Sequence, residues 1–289
     1  MQVPHIGGQR RAVRRSGCVA LFAASLCGAA GAEPLGSGTA RFLLTDLDLR
    51  DPHFYVNAVG CRDITDTALA GFSINGEIQA SIQTDRDFDG FLDLSYVLEF
   101  LPLDQGATTL PLQFGQAVCT APLAGTSCGA LLIPTPTTAT LGSMLACLAP
   151  LPGTTRPYSP AIVTTTPACF ASDAVTLVLG LAGIPVTLRD ARVAATWVGD
   201  PATQLVNGLM SGFISEADAN ATILPASLPL VGGQALSSLL PGGTGNCASH
   251  SDKDVNDGVS GWWFYFNFPA ARVYYASDAL YADGFEGPG

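Results

Sequence analysis

Polar and apolar residues alternate along much of this chain, and the alternation has a period of two. Residues 40–50 end with Leu47 and Leu49 set against Asp46, Asp48 and Arg50, which predicts a half-buried strand. Residues 53–59 are a second candidate strand. Residues 72–83 place Ile74, Ile78 and Ile82 at even spacing, which predicts strand structure with Asn75-Gly76 as a turn or bulge. Leu92, Leu94, Tyr96, Leu98 and Phe100 share one face of a further strand, with Asp93, Ser95 and Glu99 on the other. Residues 174–188 are apolar, but Gly180, Gly183 and Pro185 interrupt the run, so it reads as two buried strands rather than a membrane span. Residues 190–198 alternate again, and 205–214 follow after Gly199-Asp200-Pro201. Residues 261–268 (GWWFYFNF) are aromatic at successive positions, which predicts a strand buried on both faces or at an interface.

Helical signals are few. Ser215 with Asp218 three residues on has the form of a capping box, and the helix it opens must end before Pro225. Residues 235–240 allow one more helical turn. The middle of the chain follows neither period. Between Asp104 and Asp173 the only charged residue is Arg156, and residues 105–170 are rich in proline, which a central strand disfavours. This stretch reads as an irregular, disulfide-stapled excursion with short edge strands. The expected fold is all-β: an antiparallel β-sandwich with long stapled loops and one or two short helices, as a single β-rich domain over residues 33–280.

Composition narrows the setting. The 289 residues carry 13 Lys+Arg and 24 Asp+Glu, with charged residues at 13% and hydrophobic ones at 48%. That hydrophobicity opposes disorder, and the lack of a basic footprint opposes nucleic-acid binding. Arg10, Arg11, Arg14 and Arg15 precede a short apolar run ending in Ala30-Gly31-Ala32, the pattern of a signal peptide over residues 1–32. The run is too short for a transmembrane segment. Without residues 1–32 the chain loses four of its 13 basic residues and keeps all 24 acidic ones, for a net charge of −15. Such a surface repels nucleic acid and anionic lipid and attracts cations. The expected location is exported: periplasm, cell surface or extracellular space. Residues 280–286 (LYADGFE) resemble a short tail that ends many exported proteins of Gram-negative bacteria; residues 281–289 are read as that tail.

Six cysteines remain after the leader: Cys61, Cys119, Cys128, Cys147, Cys169 and Cys247. An even number behind an export signal reads as three disulfides, and without a C-x-x-C pair a zinc site is disfavoured. Loop length favours the local pairs Cys119–Cys128 and Cys147–Cys169, leaving Cys61–Cys247 to join the two ends of the domain.

The sharpest chemical motif is Asp85-Arg-Asp87-Phe-Asp89-Gly-Phe91-Leu-Asp93. Carboxylates on alternate residues before a glycine turn converge on one point, and Ca²⁺ takes six to eight oxygen ligands. The expected ligands are Asp85, Asp87, Asp89, the Phe91 carbonyl and Asp93, for one bound Ca²⁺. Over about nine residues the motif resembles the calcium loops of EF-hands, dockerins and FG-GAP repeats. Tyr96 stands where an EF-hand has its bidentate Glu, and the following residues have strand periodicity, so the strand-flanked FG-GAP form is the nearer likeness. A second acidic stretch, with Asp252, Asp254 and Asn256, is a lesser metal candidate and reads chiefly as a solvated loop, because its glycine comes one residue late.

Catalytic signals are sparse. Gly125-Thr-Ser127-Cys-Gly129 matches G-x-S-x-G but lacks the preceding buried strand and following helix that a nucleophile elbow needs. His53 and His250 read as exposed loop residues. Trp262, Trp263, Tyr265, Tyr274 and Tyr275 form either core or a sugar-stacking surface, with core favoured. The leading functional expectation is a secreted or surface calcium-stabilised structural or binding protein without catalysis, with a polysaccharide or a cell surface as its partner. The rival is a secreted carbohydrate-active protein, a sugar-binding module or glycosidase. A third reading, an apolar-ligand binder, rests on the uncharged middle.

Overall fold

The alternating segments become one closed sheet in a computed structural model, which describes residues 38–181 and 183–275. The expected signal peptide (1–32) and C-terminal tail (281–289) lie outside the described residues. The chain order is β1 (Ala40–Leu44), β2 (Asp48–Asp51), β3 (Tyr55–Ala58), β4 (Gly60–Asp63), α1 (Ile74–Gln83), β5 (Tyr96–Phe100) and β6 (Thr109–Cys119). It continues through β7 (Ser127–Leu131), β8 (Thr135–Gly142), β9 (Cys169–Ser172), β10 (Val175–Leu181), β11 (Ile184–Gly199), β12 (Ala202–Ser215), α2 (Glu216–Ala221), β13 (Asp254–Asn256) and β14 (Val259–Tyr275). Eight strands pair antiparallel in a ring: β1, β5, β6, β8, β9, β11, β12, β14 and back to β1. The all-β expectation holds, but the sheet closes into a barrel rather than splitting into a sandwich.

Register shifts accompany the curvature of the closed sheet. The β11–β12 register shifts between Arg189 and Arg192, and the β12–β14 register shifts between Leu205 and Gly208. Asp190 and Asn207, both at positive φ, sit within these two shifts. Bulges of this kind bend a strand and increase its twist, which lets a sheet curl onto itself and removes its free edges. Gly208 lies under Phe268, where a Cβ would come within 2.3 Å of the Phe268 carbonyl oxygen.

The barrel is filled by side chains rather than by a lumen, as eight strands allow. Phe42, Phe100, Phe170 and Trp197 meet inside it, with ring centroids 4.8–6.2 Å apart. On β14 the alternation resolves the two-faced aromatic run: Trp262, Phe264, Phe266 and Phe268 join the main core, while Trp263 and Tyr265 face outward with Leu209 and Phe213.

Two expectations change. Within residues 72–83, Ile74–Gln83 form helix α1 rather than strand with a turn or bulge, because a spacing of four satisfies a helical face as well as a strand face. Ser73 caps the helix by accepting from Gly76 N (3.2 Å), and Ile74, Ile78 and Ile82 are buried. Asn75 makes no turn; its side chain brackets the Leu49 backbone at 2.8 and 3.0 Å. The middle of the chain is also more regular than its prolines suggest. β6 and β8 are barrel strands, and the longest stretch without regular structure is residues 143–168. Pro111 is tolerated in β6 because it lies beyond the last β5 residue, where its carbonyl still accepts from Leu101 N (3.1 Å).

The helix start at Ser215 is as expected. Ser215 is the N-cap of α2, and its hydroxyl accepts from Asp218 N at 3.0 Å. Ser215→Ala should therefore cost about 1 kcal/mol in urea unfolding, the usual value of such a cap.

All three disulfides form as loop length suggested: Cys61–Cys247, Cys119–Cys128 and Cys147–Cys169. Three such bridges indicate an oxidising compartment. Among the described residues no helix is long and apolar enough to cross a membrane.

Candidate functional site

The acidic loop connects α1 to β5, and its second half is anchored to the end of β6. Leu92 N donates to Cys119 O and Ala121 N donates to Gly90 O, each at 2.9 Å, which sews the loop to the Cys119–Cys128 hairpin. Within it the backbone folds around its own carboxylates. Asp85 accepts from Asp89 N at 3.1 Å and from Gly90 N at 2.9 Å, and Asp89 accepts from Phe91 N at 2.8 Å. Gly90 has φ 90°, the left-handed conformation that glycine adopts at no steric cost.

Asp85, Asp87 and Asp89 each bring a carboxylate oxygen within 4.8 Å of the others. Among the described residues they are the one group of three acidic, histidine or cysteine side chains that close together. Asp87 is pushed above the usual carboxylate range by lost hydration and by the neighbouring charge of Asp89. Convergent carboxylates of like sign behave in this way when no cation sits among them.

Asp93, expected as a fourth carboxylate ligand, is turned elsewhere. Its Oδ1 accepts from Arg86 N at 2.9 Å and its Oδ2 pairs with Arg86 Nε. Partial burial would raise the Asp93 pKa, but these Arg86 bonds dominate and hold it below the usual range. The intervening arginine, not the spacing of the acids, decides which carboxylates converge.

The other motifs resolve into structure. Ser127 lies in β7 beside the bridged Cys128, so no strand-turn-helix elbow exists there. Trp262, Trp263 and Tyr265 are buried and cannot stack on a sugar; Tyr274 and Tyr275 are exposed at the end of β14. Asp252, Asp254 and Asn256 do not converge on a metal. Asp252 is bonded by Arg156 and Tyr158, while Asn256 donates to Asp190 from the short strand β13.

That second stretch is partly exposed, but the Asp252 side chain, 4% exposed, belongs to a polar cluster that sequence reasoning missed. His53, expected on the surface, is only 4% exposed. Its Nδ1 lies 2.6 Å from Asp63 Oδ2, and its ring stacks on Tyr158 with centroids 3.8 Å apart and planes 6° apart. Its Nε2 is buried and without a hydrogen-bond partner. Tyr158 OH donates to Asp252 Oδ2 at 2.5 Å and lies 2.8 Å from His250 Nε2. Arg156 donates through Nε to Asp252 (3.0 Å), through Nη2 to the Ser251 carbonyl (2.5 Å) and through its backbone N to Asp51 (2.8 Å). A cleft of about 350 Å³, lined in part by Arg156, Asp252, Lys253 and Asp254, opens alongside.

Burial dominates the titration of this cluster. It pushes the Asp51 carboxyl up to about 7, against the pull of the Arg156 N–H, and the charges of Asp252 and Asp254 add to the rise. Burial also raises Tyr158, and its bond to Asp252 holds the phenol protonated. Burial alone would raise Asp63, but its bonds to His53 and Thr65 together hold it below its ordinary value. One signal was present in the sequence: a lone arginine in a long uncharged stretch needs a partner, and here its guanidinium has one in Asp252.

Comparison with known proteins found no matching family model, no matching curated protein and no matching solved structure.

Proposed function

We propose that the protein is an exported barrel, stabilised by calcium at its acidic loop, that serves a structural or binding role at a surface rather than catalysis. The observation that carries this reading is the convergence of the Asp85, Asp87 and Asp89 carboxylates within 4.8 Å. Three further features support it. The disulfides suit an oxidising compartment, the basic start and Ala30-Gly31-Ala32 suit export, and the acidic surface draws cations.

Calorimetric titration of the folded, oxidised protein with Ca²⁺ tests the reading. One site is expected, with a dissociation constant of about 0.1–1 mM, the range of extracellular calcium modules. At roughly ten times that constant Ca²⁺ should stabilise the fold by about 1.4 kcal/mol. Asp87→Ala should abolish both the heat of binding and the shift in melting temperature, while Asp93→Asn should weaken binding less, because Asp93 is held by Arg86. A melting temperature that is the same in Ca²⁺ and in chelator would reduce the loop to an acidic turn.

A further inference from the structure

Residues 143–168 form a strap across the outside of the barrel. Leu148 and Ile162 pack on the outward apolar face of Leu209, Phe213, Trp263 and Tyr265. The strap is tied at its base by Cys147–Cys169. Along its length Asn267 clasps Val163, accepting from its N–H at 2.8 Å and donating to its carbonyl at 2.7 Å, and Tyr265 OH meets Leu151 N at 3.0 Å. Its crown, Arg156 to Tyr158, meets the polar cluster instead of packing on apolar surface, with the Arg156 side chain itself half exposed. It meets groups from three other places: Asp51, His53 and Tyr55 from the β2–β3 region, Asp63 from β4, and His250, Asp252 and Asp254 from the segment leading into β13.

The charges in this cluster do not balance. Arg156 is its one arginine, and its guanidinium is spent on Asp252 and Ser251. Lys253, next in sequence, reaches away to Glu216 at 2.5 Å. Asp51 is 1% exposed and receives a backbone N–H from the strap but no side-chain cation. Its charged neighbours are Asp252 and Asp254, of like sign, and His53, which is already bonded to Asp63. An ionised carboxylate in that position is buried and uncompensated, and the relief open to it is hydration through removal of the strap crown.

We propose that the strap crown is a proton-controlled latch: with Asp51 protonated the strap closes over the outer face of β12 and β14, and with Asp51 ionised the crown is loosened. This role goes beyond calcium binding and stands whether or not the acidic loop takes a metal. The sign follows from the direction of the Asp51 shift, upward from its ordinary value of 3.8 to about 7. A group raised in the closed state favours closure fully below its free value and loses that contribution as pH rises through its closed-state value. Closure is therefore strongest in acid, weakens from about pH 4 upward and reaches its lowest level above about pH 7. Asp63, shifted downward, acts in the opposite direction and only in more acid solution.

Hydrogen exchange of the whole oxidised protein, read by mass spectrometry from pH 4.5 to 8.5 and corrected for intrinsic exchange, tests the latch. Opening of strap amides around residues 151–158 should increase by up to about tenfold per pH unit between pH 4.5 and 7 and then level off, while amides of β12 and β14 stay protected. Asp51→Asn keeps an acceptor for Arg156 N and cannot ionise; it should remove the slope and hold the strap closed at pH 8. His53→Gln and His250→Gln should leave the slope in place. A flat response in the unaltered protein overturns the proposal whatever the variants do. So does a slope that survives Asp51→Asn or disappears with either histidine.

Discussion

Replacing Cys61 and Cys247 together by serine should lower the unfolding free energy by about 5 kcal/mol, the loop-closure entropy of a bridge spanning nearly two hundred residues. The two cysteines are 186 positions apart, and the bond ties β4, in the two-stranded β3–β4 sheet outside the barrel, to the segment that carries His250 and Asp252. No other disulfide in the described residues spans more than 22 positions. In a chain of this size such a loss corresponds to a melting temperature lower by about 10–20 °C. Thermal and urea unfolding of the double variant, with the two local disulfides left oxidised, measures it. A change below about 1 kcal/mol would mean that the unfolded chain already keeps these ends together, so that the bridge removes little freedom from it.

Glu99→Ala should cost about 3–5 kcal/mol, because it leaves a buried guanidinium without its carboxylate. Arg41 and Glu99 face each other across the β1–β5 pair. Arg41 Nε and Nη2 lie 2.7 and 2.6 Å from Glu99 Oε1, and both side chains are only 8% exposed. The remaining valences of Arg41 are also engaged: Nη1 donates to Gly129 O at 2.9 Å, and the guanidinium lies 4.1 Å from the Tyr275 ring centroid. The pair itself is another matter from its breakage. Replacing Arg41 by Met and Glu99 by Leu together should be close to neutral, since desolvating two ions offsets most of their attraction. Urea unfolding of the single and double variants separates the two effects. A double variant as unstable as Glu99→Ala alone would show that the ion pair contributes net stability here.

Much of the local architecture was legible in the residue pattern. The two-faced aromatic run of β14, the paired strands in 174–188, the capped helix at Ser215 and the packing role of Trp262 and Trp263 follow from side-chain periodicity and capping, which depend on neighbours a few residues away. The acidic loop is of the same kind, since Asp85, Asp87 and Asp89 converge through hydrogen bonds to backbone N–H groups within five residues. Even there, a pairing seven residues long, Arg86 with Asp93, rearranged the expected ligand set. Residues 72–83 show where the pattern was ambiguous. Isoleucines four apart fit either period, and the contact of Asn75 with Leu49 in β2 selects the helix.

By itself, then, the sequence determined a mostly β protein with three disulfides, two of them bridging short intervals, and an acidic surface, because these rest on short-range spacing and on composition. Only the tertiary structure decided that the sheet closes. Closure requires β1 to pair with β14, Arg41 with Val273, and no local signal encodes a partner more than two hundred residues away. The same holds for the polar cluster. His53, Arg156 and Asp252 are ordinary residues in their own neighbourhoods, and only the folded chain brings their charges and hydrogen bonds together. Chain reversals of that length are set by the sum of core packing over the whole barrel, and that sum exists only once the chain has folded.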